Sequence, residues 1–172
     1  YCKNDMLLFS NHALERIRQR GIKIKDIESC IMSGEIIEQY PDDFPFPSCL
    51  IFGACVSGKI LHVVASDEGT ASRIITAYFP SLDKFENDLK TRKGRWSWNV
   101  LAVKKAKWRK ISAYFADLGA CYVIIENVPC YKCEKCGEVF YTASVAERLE
   151  EIIEHVQTVA SKIFICDYAN VA

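Results

Sequence analysis

The sequence has no net charge. Its 22 Lys and Arg balance 22 Asp and Glu over 172 residues, so no overall field draws the chain to nucleic acid or to an anionic membrane surface. It has no apolar run of the length a membrane span needs. The N-terminal stretch YCKNDMLLFSNH lacks both the basic start and the long apolar segment of a signal peptide. These absences predict a cytoplasmic protein with no membrane partner. The start at Tyr1 rather than Met reads as a trimmed fragment. There is no internal repeat and no low-complexity segment. Without secretion, nine cysteines do not build a disulfide framework, because such a compartment keeps thiols reduced. Cys30, Cys49, Cys55 and Cys166 lie within apolar runs and read as small core residues.

Half of the residues are apolar, enough for a core without staples. The charges, balanced overall, are unevenly placed. Residues 1–93 carry 12 basic and 13 acidic residues, 94–112 carry six basic and no acidic ones, and 113–172 carry four basic and nine acidic. This pattern predicts two units, 1–93 and 113–172, joined by a basic connector.

In the first unit Leu7-Leu8-Phe9 is a strand candidate, and Ser10 or Asn11 caps a helix running through Arg20 to Gly21. A second helix is expected from Ile24 to Met32, with Ile27 and Ile31 buried and Gly34 as its stop. Strand-like runs follow at 35–40, 49–57, 60–66 and 73–79, separated by a Pro/Asp loop, a tight Gly58-Lys59 turn and the 67–70 loop. A closing helix is expected from Ser81 to Lys90. The fold class is therefore α+β: two helices, an antiparallel meander and a closing helix. Residues 94–112 show no caps and no turn chemistry. Beyond them come a strand at Cys121–Val128, a knuckle at Pro129–Gly137, and a strand at Val139–Tyr141 pairing back across it. A helix capped by Thr142 or Ser144 and a last strand at Lys162–Tyr168 end the chain.

The knuckle carries the most specific chemistry. Cys133 and Cys136 form a C-x-x-C followed by Gly137, the spacing that gives a tetrahedral metal two thiolates. The same pair also fits a free-thiol turn. A second half of the site is not evident; Cys130, Cys121 or the knuckle of a second chain in a homodimer are the substitutes. The surroundings contain no thioredoxin-like unit to favour redox work.

The run DLGACYVIIENVPCYKCEKCGEVFYTASVAERLEEI, Asp117 to Ile152, resembles the YgiT-type (MqsA-like) zinc-finger antitoxins. HALERIRQRGI, GEIIEQYPDDFPFPSCLIFG, LHVV and IITAYFP with DLKTRK resemble the bacterial domain of unknown function encoded beside such antitoxins, thought to be RelE-like. Together these resemblances imply a metal-independent ribonuclease toxin and its antitoxin in one chain, with a structural zinc in the second unit. The helix-turn-helix of MqsA has no counterpart here. The family's first C-x-x-C is also missing, and Val100 and Val103 stand in its region. Reading Trp98 to Arg109 one base earlier, with suitable third bases, gives M-E-C-L-G-C-K-K-G-K-M-E, the missing start. The connector is therefore expected to be an out-of-frame translation, which sequencing of the coding DNA tests.

Metal-free RNA cleavage needs a base for a 2′-hydroxyl, a donor for the leaving oxygen and cations on the phosphate. His12, Arg16 and Arg20 fall in one helical row, and with Arg73 and Tyr78 of the last strand they are the catalytic candidates. The plainer reading caps or packs His12 and pairs the arginines with Glu15, Glu28 or Glu38. His62 reads as a satisfied core histidine. Tyr40 either stacks on a base or covers the core edge. Trp96, Trp98 and Trp108 imitate an RNA-binding arm. The expected partners are RNA or the ribosome for the first unit, and each unit for the other. The second unit is expected to occlude the first at high effective concentration, leaving little nuclease activity. The competing reading is an interaction module without catalysis.

Overall fold

A computed structural model describes residues 6–44, 46–69, 71–93, 107–133, 137–157 and 162–170, with backbone alone at 107–109. Strand β1 (Leu7–Ser10) leads directly into helix α1 (Asn11–Gln19). Ser10 is extended and its Oγ accepts from the Ala13 N–H at 3.1 Å, satisfying one of the first-turn donors that a helix leaves open. Ala13, Leu14 and Ile17 form the buried face of α1, and Gly21 at φ +63° turns the chain out of it. In α2 (Ile24–Ser33), Ile24, Ile27 and Cys30 are buried; Ile31, expected inside, lies at the margin of the core.

Strands β2 (Glu35–Tyr40), β3 (Ser48–Ala54), β4 (Ile60–Asp67) and β5 (Ser72–Tyr78) form an antiparallel meander. The β3–β4 connection turns at Gly58, φ +81°, as its Gly-Lys pair predicts. Helix α2 lies directly on β3: a Cβ built at Gly53 would stand 2.4 Å from the Cys30 carbonyl oxygen.

The expected closing helix is absent. Residues 81–93 begin with one turn, in which the Phe85 N–H donates to the Ser81 carbonyl at 3.0 Å, and then fold back through a bridge between Phe85 and Arg92. The reason is local. The Asp88 carboxylate accepts from the Lys90 N–H, the Thr91 N–H and the Thr91 hydroxyl, a side-chain alternative to helical hydrogen bonds. Phe85 is thereby laid, fully buried, on the sheet.

The expected connector also ends earlier than its composition suggests. Residues 107–112 open strand β6 (Lys107–Asp117), whereas 94–106, with Trp96, Trp98, Val100 and Val103, lie outside the described residues. Strand β7 (Tyr122–Lys132) returns antiparallel to β6 after a turn at Gly119, φ +78°. Strand β8 (Val139–Thr142) pairs back across the end of β7, as expected, and is followed by α3 (Ala143–Gln157) and β9 (Ile163–Asp167). The last strand runs parallel to β7.

Among the described residues the fold is mixed α+β, with three helices and a mostly antiparallel nine-stranded sheet in the order β2-β3-β4-β5-β1-β8-β7-β6, β9 lying beside β7. The join is β1, parallel to β5 on one side and antiparallel to β8 on the other, where Phe9 stands opposite Tyr141. All three helices contribute to one core on one face of the sheet, including Phe9, Ile17, Ile27, Tyr141, Leu149 and Ile153; each such side chain stabilises by about 1.5–3 kcal/mol on full burial. A smaller cluster of Leu50, Val64 and Phe85 builds against the other face. Among the described residues no helix is long and apolar enough to cross a membrane.

Candidate functional site

Strand β1 covers β5 only from Ser72 to Ile74. Beyond that point the β5 edge is left to the end of α1. Arg20 reaches across it, its Nη1 donating to Thr76 Oγ1 at 3.0 Å and to the Ala77 carbonyl at 2.6 Å. Past this edge lies a cleft of about 170 Å³ lined by Arg20, Tyr78, Phe79, Ser81, Lys84, Phe85 and Arg92. Three cations and a phenol thus share one small concavity. Arg92 lies over the Phe85 ring, 4.8 Å from its centroid, and its Nε donates to Glu38 Oε1 at 2.9 Å. The Tyr40 hydroxyl bonds the same carboxylate, so one acid on β2 ties two cleft-side groups together. Burial raises Tyr78 above the usual phenol range, against the pull of Arg92, and keeps its proton in place. Arg20 is lowered by burial and by Arg16 beside it.

Beneath the cleft, His62 is fully buried. Its Nε2 lies 2.8 Å from the Leu89 carbonyl oxygen and its Nδ1 3.4 Å from the Tyr78 hydroxyl. A carbonyl only accepts, so Nε2 carries the proton and Nδ1 is left to accept from Tyr78. Burial lowers His62 below the ordinary imidazole value. The rings of Phe52, Tyr78 and Phe85 meet it edge to face at 4.6–5.8 Å.

The five residues read as catalytic fall into two groups. Arg20 and Tyr78 line the cleft, with Arg16 next to Arg20. Arg73 does not join them: five residues along a strand is roughly 17 Å at about 3.3 Å per residue. Its side chain is buried in an ion pair with Glu68 and lies over Phe140, 4.2 Å from the ring centroid. His12 is exposed on α1; it and Arg73 both pull down Glu138, whose carboxyl burial nonetheless raises.

At the knuckle, the Cys133 N–H donates to the Glu138 carbonyl and the Gly137 N–H to the Cys133 carbonyl, both at 2.8 Å, with Gly137 at φ +75°. Cys133 is buried; Cys136 lies outside the described residues. Cys130 faces the main core, where burial raises its thiol, an environment that favours the protonated form over a thiolate ligand. Cys121 is also a core residue. Among the described residues no three His, Cys, Asp or Glu side chains cluster as a metal site would require.

Arg92, Lys84 and the Glu38–Tyr40 pair were not among the sequence candidates for catalysis. Lys84 sits in the stretch read as a helix and Arg92 two residues beyond its end, and the fold-back with its Phe85–Arg92 bridge brings them over the sheet. The alternation of β4 did offer a signal for His62, which faces away from Leu61 and Val63, toward the cleft.

Residues 9–79 match the model of a domain of unknown function (DUF4258). The match spans the elements from β1 to the end of β5, and so includes Arg20, Glu38, His62 and Tyr78. No curated protein and no solved structure matches the chain.

Proposed function

We propose that the chain is a toxin–antitoxin-type protein whose N-terminal part acts on RNA without a metal, the phosphate lying in the Arg20–Tyr78–Arg92 cleft. The observation that carries this reading is the meeting of Arg20, Lys84 and Arg92 around a protonated Tyr78. Paired guanidinium groups offer the fork geometry suited to phosphate oxygens. At rest the single Tyr78 proton is donated to His62 Nδ1; turned out of that bond, the phenol donates it to the leaving 5′-oxygen while the 2′-hydroxyl proton passes to water, and the phenolate takes a proton back from solvent afterwards. A cytoplasmic location and a RelE-like arrangement of the first unit belong to the same proposal; two helices leading into an antiparallel meander support the latter, although the closing helix is replaced by the 81–93 fold-back. The C-terminal part acts as the attached partner. Its β8 strand completes the edge of β1, in the manner of strand addition between partners. Among the described residues none of that part lines the cleft, so inhibition by direct occlusion is not part of the proposal. A structural zinc at Cys133 and Cys136, with Cys130 as the further candidate ligand, remains part of it; burial raises the Cys130 thiol and disfavours its thiolate, and metal analysis of the purified chain tests the site.

The competing reading is a protein-interaction module without catalysis. What favours it is Glu38, which already occupies Arg92 and Tyr40.

The test is made on the full chain, because β8 covers the β1 edge. Labelled single-stranded RNA is expected to bind with an affinity that falls with salt and to be cleaved in the presence of EDTA. Lys84→Ala should weaken binding about tenfold while the thermal midpoint stays put; Arg20→Ala should weaken binding and also lower the midpoint, because it takes the donor from the Ala77 carbonyl and Thr76 hydroxyl. Absence of RNA binding and of cleavage overturns the ribonuclease reading and favours the protein-interaction module; binding without cleavage overturns the catalytic step alone.

A further inference from the structure

The end of α1, the start of α2, the buried face of α3 and strand β6 border a pocket of about 200 Å³. Its apolar lining comes from Leu14, Ile22, Tyr114, Leu149 and Ile153, all members of the main core. None of its lining residues also lines the Arg20–Tyr78 cleft, so the two sites are separate.

Three polar groups interrupt this lining. Arg18, one helical turn beyond Leu14, gives its Nη2 to the Asp117 carbonyl at 2.6 Å, while its Nε is buried without a partner. Glu150 stands between Ala146 and Ile153 on the buried face of α3, and its carboxylate accepts only from the Ile24 N–H, at 3.2 and 3.4 Å. Tyr114 is 5% exposed, and its hydroxyl bonds no other described residue. At the rim Lys23 pairs with Glu154 rather than with Glu150. Among the described residues, then, a guanidinium and a carboxylate line one pocket and neither is ion-paired, with the other or with any third group. Their structural contacts use one of the five guanidinium N–H groups and one of about four carboxylate acceptor sites. Partly buried charges are costly to hold unless something pairs them.

We infer that this pocket binds a free aliphatic α-amino acid of about the size of leucine. The α-carboxylate lies against Arg18 and the Tyr114 hydroxyl, the α-ammonium against Glu150, and the side chain on Leu14, Leu149 and Ile153. Charge selects this class, because an amino acid presents an anion and a cation on one carbon beside an apolar group. A fatty acid leaves Glu150 without a cation, and an alkylamine leaves Arg18 without an anion. Size agrees. An apolar cavity of about 150 Å³ takes a benzene ring, so one of about 200 Å³ suits a leucine-sized molecule and is small for a nucleotide. Burial also raises the Tyr114 phenol, which keeps its proton and can donate it in a charge-assisted bond to a carboxylate.

Isothermal titration calorimetry of the full chain tests this at pH 8, above the value of about 7 to which burial raises Glu150. L-Leucine, L-isoleucine and L-valine are titrated in turn, and the tightest of them should bind with a Kd of about 1 mM or below. Two analogues of leucine each lack one charged group: 4-methylpentanoate the ammonium, 3-methylbutylamine the carboxylate. Each should bind at least about tenfold more weakly than L-leucine. Arg18→Gln, which keeps a side-chain donor, and Glu150→Gln should each weaken L-leucine at least about tenfold, while circular dichroism shows the fold intact. A wild-type chain that binds none of the three amino acids overturns the proposal. Binding of 4-methylpentanoate as tight as that of L-leucine also overturns it, in favour of a monocarboxylate site. So does L-leucine binding that either glutamine variant leaves unchanged.

Discussion

His62 donates its Nε2 proton to the carbonyl of Leu89, 2.8 Å away, and Leu89 is held at φ +55°. A leucine in the left-handed region costs about 1–2 kcal/mol, and the fold-back over residues 81–93 sustains it because Asp88 and the Glu86 carbonyl anchor both sides of the turn. The histidine thereby fastens the segment that carries Lys84 and Arg92 onto the sheet that carries Tyr78.

This arrangement predicts a pH dependence. Burial places the folded His62 below its unfolded value of about 6.5, so the unfolded chain takes up the proton first. The stabilisation is complete above about pH 6.5 and is lost as pH falls below it. In His62→Gln the urea midpoint should fall less between pH 7.5 and pH 5.5 than in the wild type. At Leu89, substitution by Val, β-branched and poorly suited to positive φ, should destabilise by about 1 kcal/mol or more. Leu89→Gly relieves the strain and should be the milder change by urea titration.

Glu150 should act in the opposite sense. Its carboxylate accepts from the Ile24 N–H at 3.2 Å, at the start of α2, and burial raises it to about 7. An unfolded Glu ionises near 4.3, so its contribution is full below that value and is lost as pH rises through about 7. Glu150→Gln keeps an acceptor for Ile24 and loses the charge. It should raise the thermal midpoint at pH 7.5 and leave it nearly unchanged at pH 4.5.

Arg73→Ala should unfold the protein more readily rather than alter RNA binding. The variant removes the buried guanidinium that faces Glu68, and breaking a buried pair from one side costs up to about 3–5 kcal/mol. Chemical denaturation beside RNA titration separates Arg73 from Lys84, whose substitution should do the reverse.

Gly53→Ala probes the contact of α2 with β3. The new Cβ would meet the Cys30 carbonyl at 2.4 Å and its Sγ at 2.8 Å. Backbone must move to relieve this, and the expected loss is about 1–3 kcal/mol by urea titration.

Local signals were legible wherever a short stretch of chain decides its own conformation. Ser10 before an apolar-periodic run, Gly21 and Gly58 at positive φ, and the alternation of β3, β4 and β5 made those helices and strands readable. Of the sequence's catalytic candidates, Arg20 and Tyr78 line the cleft. Residues 81–90 were misread, where helical periodicity lost to the side-chain bonds of Asp88 and the burial of Phe85, and so Lys84, and Arg92 just beyond, were not brought into the same cleft. Arg73 was also grouped with Tyr78, because strand membership does not say how far apart two side chains act.

By itself, then, the sequence determined the α+β class and the order of most elements, both set by neighbours within a few positions. Tertiary structure alone decided that β1 lies between β5 and β8, that Arg20 crosses an edge β1 leaves open, and that His62 meets Leu89. Those relationships join residues 27 to 132 positions apart, and which distant strands pair depends on the burial of whole faces, which no local pattern encodes.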